Sequence, residues 1–131
     1  MLNPPDSHAD LLGLTMVADI ATIGPSGEPH CTPVWFDWDG LLIRLSLTTA
    51  RQKYRNICAS PLVAMSLIDP ENPYRSMEVR SSVVDISDDP DNEFLDALAL
   101  RYLEIDEYTF DTPETRRVIV TLEPSHFTTW D

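Results

Sequence analysis

At 131 residues the chain is sized for one domain with a real apolar core and is too short for two. Its formal net charge is −13, from 22 acidic against 9 basic residues, a balance that repels phosphate backbones and argues against nucleic-acid binding. The run from Leu11 to Ile23 is cut by Gly13, Thr15 and Asp19, so it reads as neither a signal peptide nor a membrane span, and the expected address is the cytoplasm.

Residues 1–9 carry polar side chains and two prolines, and are expected to form a flexible tail ahead of a single domain over 10–131. A short helix is expected at 10–14 and a strand at 17–23, ended by the turn Gly24-Pro25-Ser26-Gly27. Strands at 30–38 and 41–48 follow, joined by Asp39-Gly40, a dipeptide suited to a type I′ turn. Along the second, Leu41, Ile43, Leu45 and Leu47 alternate with Leu42, Arg44, Ser46 and Thr48, giving a core face and a face that turns polar toward its end. Pro33 has no N–H to give a ladder, so its strand needs an edge or a bulge there. A bulge on a barrel rim is a common seat for a ligand.

Residues 50–59 read as a helix, with Thr49 as its cap and Gln52 completing a capping box. The run 62–68 is nearly all apolar, as in a strand buried on both faces. The breaker Asp69-Pro70-Glu71-Asn72-Pro73 precedes a long strand over roughly 75–87. Asp89 before Pro90 marks a helix start, and Phe94, Leu95, Leu98 and Tyr102 share one face of that helix. In the last strand Val118, Val120 and Leu122 alternate with Arg117, Ile119, Thr121 and Glu123. Mostly antiparallel strands with inserted short helices predict a mainly β fold, a small β-barrel, because closure removes the edges of so many strands.

Two cysteines, Cys31 and Cys58, are too few for a disulfide framework. His30 and Cys31 are adjacent and point to opposite faces of a strand, so no metal site is expected. Residues 85–114 hold many acids and only one basic residue, Arg101. They read as a solvated acidic face, with adaptation to high salt as the alternative.

Chemistry concentrates at Thr48-Thr49-Ala50-Arg51-Gln52-Lys53-Tyr54-Arg55-Asn56. Three cations, Arg51, Lys53 and Arg55, stand at a helix start, where open N–H groups and the positive dipole end favour a phosphate. Lys53 is the chain's only lysine. Two readings stand: an anion seat, or a solvated helix whose arginines pair with the acidic surface. Position strengthens the first, because the helix follows a strand face ending in Ser46 and Thr48. On an accessible helix end, Lys53 is expected to matter little for folding. In the run 32–38, Trp35, Phe36 and Trp38 are either core or interface residues, or a flat wall for a planar heterocycle. Residues 72–80 read as an ordinary loop entering a strand. Tyr54, Tyr74 and His30 are the candidate proton donors, while His8 and His126 are expected on the surface.

Several blocks in order and spacing carry a resemblance. They are Ala21-Thr22-Ile23, Gly24-Pro25-Ser26-Gly27-Glu28-Pro29, Thr32-Pro33-Val34-Trp35-Phe36, Arg51-Gln52-Lys53-Tyr54-Arg55-Asn56 and Asp69-Pro70-Glu71-Asn72-Pro73-Tyr74-Arg75. Glu78-Val79-Arg80, Arg101-Tyr102-Leu103 and Arg117-Val118-Ile119-Val120 complete the set. The sequence resembles the deazaflavin-dependent branch of the pyridoxamine-5′-phosphate-oxidase-like superfamily, the FMN-binding split β-barrel, over residues 18–123. The resemblance implies a homodimer with two equivalent sites at the subunit interface. It implies a ring lying along Pro33, Val34 and Trp35 and a phosphate at Arg51 and Lys53. Ser46 and Thr48 would lie nearby, with Asn56 in the same block. The partner subunit would contribute the region from Tyr74 to Met77. Ser81 departs from the family, which often carries glycine there.

The cofactor implied is coenzyme F420, with FMN as the alternative. The polyglutamate tail of F420 calls for further cations, from Arg55 and, across the interface, Arg75 or Arg80. The activity implied is an F420-dependent reductase that passes a hydride to an activated C=C or similar bond of a small-molecule substrate. The alternatives are an FMN-dependent oxidase or reductase of pyridoxal-type compounds, and a non-catalytic cofactor carrier.

Overall fold

The computed structural model describes residues 2–131 and is mainly β. A short helix α1 (Asp10–Gly13) precedes strands β1 (Ala18–Ile23), β2 (Pro29–Val34), β3 (Phe36–Trp38) and β4 (Ile43–Thr48). Helix α2 (Gln52–Ala59) leads into β5 (Leu62–Ile68) and β6 (Ser76–Asp88), and α3 (Glu93–Leu103) precedes the last strand, β7 (Arg117–Trp130). The seven strands form one sheet in the order β2-β1-β5-β6-β7-β4-β3, with every neighbouring pair antiparallel.

That order dictates the shape. β2 and β3 are the two edges of the sheet, yet only Trp35 separates them in the chain. Two residues of extended backbone span about 7 Å, so the sheet must roll until its edges meet at Trp35. The strand predicted over 30–38 is therefore two strands. Val34 stands opposite Ala18 on β1, and Phe36 opposite Leu45 on β4. Pro33 sits on an edge strand, where its missing N–H breaks no interior ladder.

The inside of the roll is apolar, with Ile20, Phe36, Ile43, Leu45, Met65, Leu67, Val79, Val120 and Leu122 fully buried. The alternation predicted for β4 and β7 holds from Ile43 and Val118 onward. Leu41 does not join it: the residue is exposed, in the loop 39–42. That loop is not a type I′ turn, because only Gly40 of the Asp39-Gly40 pair has a positive φ, 99°. Asp39 Oδ1 instead accepts the N–H groups of Leu41 and Leu42, at 2.8 and 2.7 Å.

β5 is buried on one face only. Val63, Met65 and Leu67 enter the core, while Leu62 and Ile68 are 58% and 48% exposed. The continuous apolar run marks an open outer face, not a doubly covered strand.

Both longer helices begin differently from their sequence signals. α2 has no side-chain cap, and Gln52 Nε2 is spent on Asn56 Oδ1 at 2.7 Å. α3 begins at Glu93, beyond Pro90. The buried Asp89 still caps it from a distance, accepting the N–H groups of Phe94 and Leu95 at 3.3 and 3.1 Å.

The N-terminal segment is tied down. His8, predicted on the surface, is 1% exposed, with Nε2 3.0 Å from the Trp130 carbonyl and Nδ1 2.7 Å from Ser7 Oγ. Arg75 adds bonds to the Ser7 carbonyl, Asp10 and Asp69. His126 is exposed, as expected. No helix among the described residues is long and apolar enough to cross a membrane.

Tyr102 locks α3 across the seam. Its hydroxyl accepts the Phe36 N–H at 3.1 Å and donates toward the Met16 carbonyl at 2.7 Å. Burial holds the phenol above the usual tyrosine range. Replacing Tyr102 with Phe leaves the Phe36 N–H and the Met16 carbonyl without this partner, at a cost of about 1–3 kcal/mol. Urea denaturation of wild type and Tyr102→Phe measures it. An unchanged midpoint would show that the hydroxyl ties nothing.

Candidate functional site

The rolled sheet leaves a cavity of about 750 Å³ beside the seam. Thr32, Pro33, Val34 and Trp35 form one wall; Ser46 and Thr48 of β4, with Arg117 of β7, face them. Arg51, Gln52 and Lys53 line one end from the start of α2, and Val17, Leu95 and Tyr108 contribute further lining. Of the residues read from the sequence, Pro33, Val34, Trp35, Ser46, Thr48, Arg51 and Lys53 are brought together here.

Three are not. Asn56 is buried behind α2, taking a bond from Gln52 and giving one to Thr22 Oγ1 at 3.0 Å, so it anchors the helix and does not line the cavity. Met77 is 0% exposed in the core, which removes its side chain from any site shared with a partner. Tyr74, expected to serve a partner's site and not its own chain's, lies away from this cavity at 80% exposure. The cations expected for a polyglutamate tail are also engaged. Arg75 is clamped by Asp10 and Asp69, which push its pKa further above the ordinary range. Arg80 pairs with Glu78, and Arg55 turns back to the Ala50 carbonyl and Gln52.

The cationic end is electrostatically unusual for so acidic a chain. Among the described residues, Arg44, Arg75, Arg80, Arg116 and Arg117 each pair with a carboxylate, while Arg51, Lys53, Arg55 and Arg101 pair with none; of these four, Arg51 and Lys53 line the cavity. Lys53 Nζ donates instead to Thr32 Oγ1 and the Pro33 carbonyl, both at 3.1 Å. Burial first, then the neighbouring charges of Arg51 and Arg117, hold its pKa below the usual lysine range. With no side chain capping α2, the first N–H groups of that helix remain open as well.

Two polar atoms sharpen the picture. Ser46 Oγ and His30 Nδ1 are buried without a hydrogen-bond partner, and both residues line the cavity. Leaving such a group unpaired costs about 1–3 kcal/mol, which a ligand's polar groups would recover.

The wall beside these cations is aromatic. Trp35 stacks on Tyr102 with centroids 5.0 Å apart and planes 12° apart, and meets Tyr108 edge-on at 6.0 Å. Arg117 lies 5.3 Å over the Tyr108 ring and is held by Asp111 through two bonds of 2.8 and 2.9 Å. Sequence reasoning missed Arg117 and Tyr108 as site residues. The signal for Arg117 is its register opposite Thr48, a pairing between strands 69 positions apart in the chain.

The comparisons with known proteins agree with this architecture. The chain belongs to the pyridoxamine 5′-phosphate oxidase family, whose sequence profile matches residues 5–131, and the fold is that family's split β-barrel. Among solved structures, an F420 reductase is 43% identical with a TM-score of 0.86, covering 95% of this chain and 98% of its own. A conserved hypothetical protein from Mycobacterium tuberculosis is 26% identical with a TM-score of 0.75, covering 99% of this chain and 86% of its own. A putative pyridoxamine 5′-phosphate oxidase from Listeria innocua shares the fold at 16% identity and a TM-score of 0.67, covering 95% of each chain. No curated protein gives a significant match.

Lys53 thus does more for folding than an accessible helix end would. It joins α2 to the edge of β2, so Lys53→Ala should lower ligand-free stability by about 1–3 kcal/mol. Chemical denaturation without added anions reads this directly. A loss within about 0.5 kcal/mol, as at ordinary surface positions, would return Lys53 to the role of a solvated residue.

Proposed function

We propose that this protein is an F420-dependent oxidoreductase, a reductase that passes a hydride to a small organic acceptor. The observation that carries the reading is the pair of cations without carboxylate partners, Arg51 and Lys53, at one end of a cavity that also holds the unpartnered Ser46 Oγ. A phosphate bears several acceptor oxygens, and this end offers two cations, a hydroxyl and an uncapped helix start. The donor set therefore fits a phosphorylated flavin-type cofactor. The 43% identity to an F420 reductase, over 95% of this chain, supports the deazaflavin.

Arg51, Lys53, Ser46 and Thr48 would hold the phosphate, and the Pro33–Trp35 edge the ring. When bound, the deazaflavin supplies a two-electron hydride. The chain itself contributes orientation and exclusion of water: Trp35 is fixed by stacking on Tyr102, and Leu95 and Val17 keep the wall apolar.

FMN is the second reading. The pairing of Arg75 and Arg80 with carboxylates favours it, because a polyglutamate tail then keeps only Arg55 of the cations first expected for it. Titration of the protein with F420 and with FMN at one ionic strength separates the two. F420 should bind at least about tenfold more tightly, a difference of roughly 1.4 kcal/mol. Equal or reversed affinities would put FMN first. Anaerobic mixing of reduced F420 with candidate acceptors then distinguishes a reductase from a carrier that binds without turnover.

A two-fold homodimer is part of the proposal. The outer face of β1 and β5 is open, with Ile23, Leu62 and Ile68 exposed beside the polar pair Asp19 and Ser66. Small Ala21 and Ala64 stand opposite each other beside Ile23 and Leu62, and together these four line a shallow hollow into which a second copy could pack. Sedimentation at micromolar concentration should show a dimer, and Leu62→Asp should shift it toward monomer. A wild-type protein that sediments only as monomer would remove the shared-site arrangement.

A further inference from the structure

We propose that Arg117 is the third cation of the anion seat and binds the ligand's phosphate directly. The inference rests on the reading of this cavity as a site for a phosphorylated flavin-type cofactor. It adds a residue from a different strand, 64 positions beyond Lys53 in the chain.

Convergence is the first observation. Arg117 stands opposite Thr48 on the neighbouring strand, and the Thr48 carbonyl accepts the N–H of Arg51 at 3.3 Å. Thr48, Arg51, Lys53 and Arg117 all line the same cavity. The Arg117 charge is close enough to help hold the Lys53 pKa down. Two like charges so near each other repel, and a bound phosphate anion between them would turn that repulsion into attraction.

The second observation is how the guanidinium is held. Its side chain is only 13% exposed, so its position is not left to solvent. Asp111 takes one N–H from Nε and one from Nη2, a side-on bidentate pair. Three of the five N–H donors, including both on Nη1, are left by that pair. The Tyr108 ring covers one face of the plane. An arginine gripped along one edge and backed by an aromatic ring presents its remaining edge in a fixed direction. That is the preorganised fork that suits a phosphate.

The competing account makes Asp111–Arg117 a structural pair that merely fastens the segment between α3 and β7. The two accounts differ in what they predict for ligands with and without a phosphate. Dissociation constants for F420 and for its phosphate-free deazaflavin chromophore would be measured by fluorescence for wild type and Arg117→Gln. The double variant Arg117→Gln/Asp111→Asn would be measured beside them, since it leaves no lone half-buried carboxylate behind. A melting curve for each variant reports folding. In both variants F420 affinity should fall about 10- to 100-fold, while the chromophore stays within about twofold of wild type. If both ligands weaken together, or neither weakens, Arg117 is a structural residue and the proposal fails. If wild type prefers FMN, the same comparison runs with FMN and riboflavin, so the Arg117 assignment is tested even if the choice of F420 fails. A wild-type protein that binds none of the four ligands would overturn both readings.

Discussion

The long β6–β7 ribbon is the constraint on which the rest of the molecule depends. The two strands pair from Ser76 opposite Trp130 to Asp88 opposite Val118. β5 joins the flank of β6 along its first half, and β4 joins the flank of β7 along its own first half. Because the ribbon is antiparallel, these attachments fall at opposite ends of it. Irregularities at Arg80/Ser81 and Val83/Asp85 add the local bend and twist that such a ribbon needs. A flat version would hold β2 and β3 far apart, and the single residue Trp35 could not connect them. Rolling brings the edges together, and the cavity lies along the seam where they meet without pairing.

Charge is arranged against the background of the chain. With 22 acids and 9 cations, most arginines find a carboxylate, and five of them do so in ion pairs. Arg51 and Lys53 are kept from that fate by geometry. Lys53 is drawn into the seam by neutral acceptors, which satisfy its N–H groups without cancelling its charge. The half-buried ammonium is thus tied to the fold by its hydroxyl and carbonyl partners while its charge stays uncancelled. An anionic ligand at this point would meet that charge already in position. Lys53 gives up its proton more readily than an ordinary lysine, so this attraction weakens at a less alkaline pH than it otherwise would.

Local signals in the sequence reached a good part of this. The alternation of Ile43, Leu45 and Leu47 against Arg44, Ser46 and Thr48 identified both the core face and the polar face of β4, and the cations at the start of α2 followed from helix-end electrostatics. What local reasoning missed depends on distant partners. An apolar run such as 62–68 looks the same whether its second face is covered or open. The break at Trp35 is set by closure of the sheet, which no window of nine residues contains. Asp89 resembled a cap one residue before Pro90, but its carboxylate reaches past the turn to Phe94 and Leu95. Arg117 joined the site only through its register with Thr48, and His8 was buried only by the arrival of the chain's far end at Trp130.

The seam also explains why the same few residues serve stability and the binding proposed for this cavity. In a fully closed barrel the Pro33 carbonyl would be spent on a neighbouring strand. Splitting the barrel frees that edge, and an open edge of unpaired backbone groups is a liability unless something occupies it. Lys53 occupies one position by bonding the Pro33 carbonyl, and the Tyr102 hydroxyl ties down Phe36 on the other side of Trp35. Between these two ties, the backbone at Trp35 is held in place while belonging to neither strand. A planar ligand with polar groups along one edge can use such a stretch as a partial strand partner, while Trp35 and Tyr108 supply aromatic contact beside it. The fold thus leaves a gap where backbone polarity, two uncancelled cations and an apolar wall converge, and the gap follows from the topology of the sheet.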